Sequence, residues 1–382
     1  MRVGLVTLLM LAAGMASGCG NDDSPIEVSF TERDGVRRGH LTPERAERMS
    51  DDDLLIVSIG DSIAAGEGNP DRESGLPGHV KWTLRRCHRS LLSGHAEAAL
   101  AAERADADTN VGFVPLGCSG ATVAKGLLGR YRGIQPRLLE MSEPPQLDRV
   151  NALARKREID ALLLSISAND VYFSRIVTFC LLNDRCWDKP FDPEALPLSV
   201  LRPRERDPLE GRPTLDEVVK SRLGEMPAAY AAVDAKLSKR IPRDRVVIVE
   251  YFDPTTGGSG PRGRGHCQWG KRIGIDGVVE IDGVVDPKEF AWAQREVLRP
   301  LNAAIRKAAD EHDWSIVTGV GAEFAGHGIC AGADSWVRNL DRSLLAQGLN
   351  HHGTLHPNGA GHRATADLIA PVLSDVLEPG GG

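Results

Sequence analysis

A serine, an asparagine and a histidine stand in segments of this sequence whose residue types could do chemistry. Ser62 follows Leu54-Leu55-Ile56-Val57-Ser58-Ile59-Gly60-Asp61, an apolar run that reads as a short buried strand closed by glycine. A hydroxyl at the carboxyl end of such a strand sits where a nucleophile would, at the edge where open α/β sheets bind ligands. Asp61 and Ser62 equally suit a plain helix cap, so the serine gains meaning from its companions. Leu116-Gly117-Cys118-Ser119-Gly120-Ala121-Thr122 offers small residues that let backbone N–H groups approach a substrate. Ile159 to Asp170 reads as a strand ending in Asn169-Asp170, and the Asn169 amide can donate to a developing oxyanion where a carboxylate cannot. His356 stands before Pro357, which suits the first position of a closing helix.

The elements that must position these residues alternate. Strand-like runs lie at Leu54–Ile59, Val111–Val114, Ile159–Asp170, Val246–Tyr251 and Trp314–Val317. Helical runs lie at about 214–239, 288–312 and from Pro357 onward. Alternation of β and α predicts a parallel sheet with helices on both faces, in one large domain without internal repeats. An apolar content of 41% fits a globular chain, and a formal net charge of −7 gives no global attraction to nucleic acid.

The four segments, in this order, resemble the four blocks of the SGNH/GDSL hydrolase family, with Ser62, Gly120, Asn169 and His356 at the block positions. Gly66-Glu67-Gly68-Asn69-Pro70, Arg86-Cys87-His88-Arg89-Ser90 and Pro144-Pro145-Gln146-Leu147-Asp148 resemble its secreted bacterial lipase and esterase branch. The resemblance spans roughly residues 52 to 376. It implies a flavodoxin-like three-layer α/β/α sandwich and a serine esterase without cofactor or metal. Ser62 would be nucleophile, His356 general base and then acid, and the Ser62 N–H, Gly120 N–H and Asn169 side chain the oxyanion hole. The Gly-x-Ser-x-Gly elbow of α/β-hydrolases is absent. The substrate it implies is a carboxylic ester, an acyl lipid or an O-acylated glycan. Acyl transfer by the same site and non-catalytic binding of envelope lipid or glycan are the alternatives.

Two positions depart from the family pattern. Ser167 replaces the glycine that opens the third block, and Gly353 replaces the aspartate three residues before the histidine. An imidazole base needs a partner at its second nitrogen, and the Gly353 carbonyl is the expected one, ahead of Asp334 and Asp253. His351 and His352 beside His356 do not form a metal set, because Gly353 and Pro357 interrupt a helix there and no carboxylate is near.

Residues 1–18 read as a signal peptide, with a basic start and an apolar Val3–Ala13 stretch shorter than the about 20 residues a spanning helix needs. Ala16-Ser17-Gly18-Cys19 resembles a lipobox, which implies lipid attachment at Cys19, anchoring in a bacterial envelope and a polar tether over 19–50; plain secretion is the alternative. The hydrolase domain is expected at 51–382, as a monomer. A Pro- and charge-rich excursion interrupts it at about 188–213, and a glycine loop at about 255–266 lacks the Gly-Lys-Ser/Thr ending of a phosphate-binding loop. The six remaining cysteines suit an oxidising compartment, and residue spacing leaves their pairing open. The family resemblance implies Cys87–Cys118, Cys180–Cys186 and Cys267–Cys330.

Overall fold

A computed structural model describes residues 30–33, 36–105, 110–193, 211–257, 265–270 and 284–378. The expected signal peptide, Cys19 and the cores of the 188–213 excursion and of the 255–266 loop lie outside the described residues.

Among the described residues seven strands occur in chain order: β1 Phe30–Arg33, β2 Val36–Gly39, β3 Leu54–Gly60, β4 Val111–Pro115, β5 Ala161–Ser165, β6 Val246–Val249 and β7 Ser315–Val317. β1 and β2 form an antiparallel hairpin. The other five form one parallel sheet in the order β4-β3-β5-β6-β7. Leu162, Leu163 and Leu164 of β5 and Ile56 and Val57 of β3 are wholly buried. Burial on both faces is why these strands are continuous apolar runs without alternation. Truncating one such leucine to alanine removes about 2–5 kcal/mol.

Helices cover both faces. Gly94–Ala105 and Gly359–Leu377 pack on each other and on the sheet. Gln146–Ala154, Leu215–Lys236 and Arg299–Glu311 cover the opposite face. The fold is a three-layer α/β/α sandwich with flavodoxin-like strand order. From β3 the chain moves outward to β4 and then returns to β5 on the other side. The carboxyl ends of these three strands therefore open a crevice where the strand order reverses.

Local chemistry explains the helix boundaries. Thr214 and Glu217 form a reciprocal capping box that starts the Leu215–Lys236 helix. The rod expected over 288–312 is two α-helical pieces, Pro287–Trp292 and Arg299–Glu311, joined by a π-turn at Ala293–Leu298. Pro300 has no N–H for the Glu296 carbonyl, which favours the widened turn there. The closing helix starts at Gly359, two residues later than expected. The Asn358 side chain accepts from the N–H groups of Ala360 and Gly361, and that cap leaves Pro357 outside the helix. Residues 40–50, read as part of a tether, pack on the sheet edge. The Leu41 N–H bonds the Phe113 carbonyl, Ala46 is wholly buried, and Met49 lies against Gly112.

Candidate active site

β3 ends at Gly60, whose φ is +135° and where a Cβ would overlap the Ser165 carbonyl. The Gln146 side chain grips its N–H at 2.7 Å and its carbonyl at 2.9 Å. Asp61 caps the single helical turn Ser62–Ala65, accepting from the Ile63 N–H at 3.0 Å. Ser62 is thus both the first residue of a capped turn and a side chain aimed into the crevice. Its N–H has no intrahelical acceptor at that position.

The Ser62 Oγ lies 2.8 Å from His356 Nε2, and His356 Nδ1 lies 3.1 Å from the Thr354 carbonyl. The orienting carbonyl is therefore that of Thr354, one residue later than expected. The Gly353 carbonyl accepts instead from the His356 main-chain N–H at 3.1 Å. The physical reason is Leu355, held at φ +61°. That left-handed residue turns the chain back so that the imidazole meets a carbonyl two residues upstream. Asp253 is occupied by the Thr255 N–H and hydroxyl and by Gln294, while the Asp334 carbonyl faces His327. Neither aspartate is hydrogen-bonded to the imidazole.

Ser62, Asn169 and His356 line one cavity of about 30 Å³. Asn169 donates one N–H of its amide to the Ala121 carbonyl at 2.9 Å, which orients the group and leaves a second N–H. Gly120 is not among the residues lining that cavity. It lies one residue before Ala121 with φ +80°, and a Cβ there would overlap the Tyr131 hydroxyl. Its N–H meets no main-chain carbonyl among the described residues. The segment is pinned by the Cys87–Cys118 disulfide and by Arg89, which donates to the Leu116 and Gly117 carbonyls at 3.0 Å. The other disulfides join Cys180 to Cys186 and Cys267 to Cys330.

Ser167 has φ +114°, a region that favours glycine. The backbone that glycine supplies in the family is kept here by a serine, whose hydroxyl contacts the Tyr230 hydroxyl. Tyr251 donates to Asp61 at 2.5 Å and accepts from the Ala168 N–H at 3.1 Å, tying the serine turn to the asparagine turn. Burial raises the pKa of Asp61 to about 7 despite that donor. All four tyrosines of the chain stand beside one of the first three blocks, Tyr172 through its N–H to the Asn169 carbonyl. No motif announces them, because each is isolated in sequence.

Glu67 is a second residue that motif reading passed over as chemistry. It is 1% exposed, accepts from Ser119 and pairs with His88 Nδ1, both at 2.7 Å, and its other carboxylate oxygen is buried without a partner. Burial alone would raise its pKa, but His88 brings it down to about 2. Burial lowers the pKa of His356, and the Glu67 charge acts in the opposite direction. A neutral imidazole with a hydroxyl at 2.8 Å and a buried anion nearby can take the hydroxyl proton.

A second serine–histidine array lies in the core. Ser58 Oγ is 2.8 Å from His95 Nδ1, and His95 Nε2 is 2.9 Å from Ser165 Oγ. All three are at most 1% exposed, and burial drives the His95 pKa down to about 3. No substrate reaches it.

The protein resembles several solved structures in fold. A lipase from Streptomyces rimosus, described as extracellular, is 20% identical over 85% of this chain and 99% of that one, with a TM-score of 0.50. Phospholipase A1 from Streptomyces albidoflavus is 20% identical over 85% and 99%, with a TM-score of 0.46. An acetylxylan esterase from Geobacillus stearothermophilus is 13% identical over 85% and 96%, with a TM-score of 0.38. Among curated proteins, none matches the sequence. The sequence profile that does match covers residues 58–364, from β3 into the closing helix and across every segment just described, so the chain belongs to the GDSL-like lipase/acylhydrolase family and is a carboxylic ester hydrolase.

Proposed function

We propose that this hydrolase works through Ser62 and His356 on esters of apolar carboxylic acids. The observation that carries the reading is the 2.8 Å contact between Ser62 Oγ and His356 Nε2 at the mouth of a lined cavity. Ser62 Oγ attacks the ester carbonyl carbon while His356 Nε2 takes its proton. The oxyanion that forms receives hydrogen bonds from the Ser62 N–H, the Gly120 N–H and the Asn169 amide. His356 then protonates the leaving alcohol, and the acyl group stays on Ser62. A water that gives its proton to His356 attacks the acyl-serine, and as the bond to Ser62 Oγ breaks His356 returns that proton to the serine and the carboxylic acid leaves. The Thr354 carbonyl holds the Nδ1–H tautomer, and the Glu67 charge stabilises the imidazolium formed in each half.

The acyl side is apolar. Phe173, Pro254, Leu298 and Leu355 wall both the cavity beside Ser62 and a second one of about 40 Å³ behind it. That continuity favours an acyl lipid over an O-acetyl glycan. The test is turnover of p-nitrophenyl esters from acetyl to palmitoyl by the chain beginning at Asn21, beside Ser62→Ala. Turnover that rises beyond acetyl and vanishes in the variant supports the reading. A preference for acetyl would overturn the acyl assignment, and full activity in Ser62→Ala the nucleophile.

Export and anchoring belong to the same proposal, with residues 1–18 as signal peptide, Cys19 as lipid acceptor, and the segment after it linking it to the domain, whose sheet edge residues 40–50 cover. Among the described residues no helix is long and apolar enough to cross a membrane. Palmitate labelling that survives Cys19→Ala would remove the anchor from this account.

A further inference from the structure

Among the described residues six large apolar side chains are exposed: Leu76, Leu138, Leu139, Met141, Leu345 and Leu349. They are not scattered. Leu138, Leu139 and Met141 form the tip of one loop and are 90%, 92% and 78% exposed. Leu76, Leu345 and Leu349 lie on a second pair of segments, joined where Ser74 bonds the Ala346 carbonyl at 3.0 Å and accepts from the Gly348 N–H at 2.7 Å. The segments that carry the two groups each reach His88. Its Nε2 is 3.1 Å from Gln135 Oε1 at the base of the first loop and 3.4 Å from Asn350 Nδ2 at the end of the second. His352, four residues before His356, stands edge-on to the same ring at 5.8 Å.

The first loop has a pinned base and an apolar tip. Tyr131 and Glu143 exchange main-chain hydrogen bonds at 3.3 and 2.8 Å across its stem, and Arg86 holds the Met141 carbonyl and the Glu143 carboxylate. The Tyr131 hydroxyl at that stem lies against Gly120. Three exposed arginines, Arg130, Arg132 and Arg137, share the loop and its stem with two glutamates, Glu140 and Glu143, and Glu143 is paired with Arg86 and Arg149. The guanidinium groups of Arg130 and Arg132 bond main-chain carbonyls, so those contacts leave their charges unneutralised. Glu140 is 3.9 Å from Arg85. The loop is therefore basic in a chain whose formal net charge is −7.

We propose that this rim is the surface by which the enzyme seats on an anionic lipid bilayer, with Leu138, Leu139 and Met141 entering the acyl boundary and Arg130, Arg132 and Arg137 meeting the headgroups. Exposed apolar area beside exposed cations is what such an interface binds. The seat places the Gly120 stem, and with it the active-site crevice, next to the lipid. The inference concerns where the enzyme sits and is read without turnover, so it stands or falls separately from the assignment of Ser62.

The experiment uses the chain beginning at Asn21, which lacks the leader and Cys19 but keeps every described element, all of which begin at or after Phe30. It is floated with phosphatidylcholine vesicles, with and without about one-third phosphatidylglycerol. The parent should float with the anionic vesicles. Leu138→Ser/Leu139→Ser/Met141→Ser should lose about tenfold or more of that partition, with turnover of a soluble short-chain ester unchanged. Arg132→Gln/Arg137→Gln should lose about fivefold for each charge removed. Leu139→Trp supplies a gain of signal, a blue-shifted fluorescence on adding anionic vesicles. A parent that does not float, variants that float as well as the parent, or an unshifted tryptophan would each overturn the proposal. Loss of a dimer on sedimentation of the serine variant, with flotation unchanged, would assign the patch to a second copy and overturn it too.

Discussion

Among the described residues two serine–histidine contacts share a length of 2.8 Å, Ser62–His356 and Ser58–His95, and of the two Ser62–His356 lines a cavity. Ser58 points sideways from the middle of β3, between helix and sheet, and His95 there spans two strands by bonding Ser165 as well. Ser62 lies just past the end of the same strand, and Gly120 and Asn169, the proposed donors, follow two other strand ends. Both histidines are depressed by burial, His95 to about 3, but only His356 has the buried Glu67 anion acting against the depression. A short Oγ–N distance is thus an ordinary packing solution. What makes a reactive pair is an opening, unused N–H donors and a charge that favours the imidazolium.

The contrast breaks most sharply at the serines themselves. Ser62→Ala should lower kcat by about a millionfold, measured on any soluble ester, with thermal stability altered by less than about 1 kcal/mol, since one partly exposed hydrogen bond is removed. Asn169→Ala should lower kcat by about a hundred- to a thousandfold and leave KM for a short ester nearly constant. An Asn169→Ala enzyme with unchanged kcat would take the amide out of the oxyanion hole.

The buried pair should answer in the other currency. His95→Ala strands the Ser58 and Ser165 hydroxyls in a dry core and opens a cavity, so denaturant unfolding should report a loss of about 3 kcal/mol. Turnover per folded molecule should stay within about twofold of the parent. A His95→Ala enzyme that is stable but inactive would make the two arrays chemically equivalent and undo the comparison.

The contact between Ser62 and His356, the proposed active pair, was legible because each member sits in a short segment with its own local reason. Ser62, Gly120 and Asn169 each follow an apolar run that could only be a buried strand, and parallel strands bring their carboxyl ends together. His356 was legible through its block, but its orienting partner was not. Which carbonyl meets Nδ1 depends on the left-handed turn at Leu355, a conformation that leucine does not advertise. The three-layer fold followed from alternating periods, whereas the π-turn, the Asn358 cap and the packing of residues 40–50 depended on tertiary neighbours. The Tyr230–Ser167 and Tyr251–Asp61 ties join residues far apart in sequence, Tyr251 to Asp61 across 190 positions. No spacing rule reaches that far.

Ser167 tests that last point with a smaller effect. A residue at φ +114° stores about 1 kcal/mol or more that glycine would not. Ser167→Gly should release it, but it also removes the hydroxyl that faces Tyr230 and adds backbone freedom to the unfolded chain. The two nearly offset, so unfolding should shift by less than about 1 kcal/mol with kcat unchanged. Ser167→Ala keeps the backbone demand and loses the hydroxyl, and should be the less stable of the two.

Glu67→Gln sharpens the comparison at the imidazole, because it removes an anion that acts on His356 and not on His95. The sign follows from the direction of the shifts. Burial already holds the His356 pKa below the ordinary histidine value, and the Glu67 carboxylate opposes that. Without the carboxylate the pKa falls further, so the acid limb of kcat/KM, set by the free enzyme, should move to lower pH than in the parent. On the plateau the imidazolium of the transition state loses its counter-charge, and kcat should drop by about tenfold. Stability should change as well. Glu67 in the folded state holds its charge down to about pH 2, so the parent carries stability from this group above its ordinary pKa and loses it as pH falls towards 2. The variant should lack that acid-side slope. A merely structural Glu67 would lower stability and leave the acid limb of kcat/KM where it was, and that outcome would return His356 to the same electrostatic footing as His95.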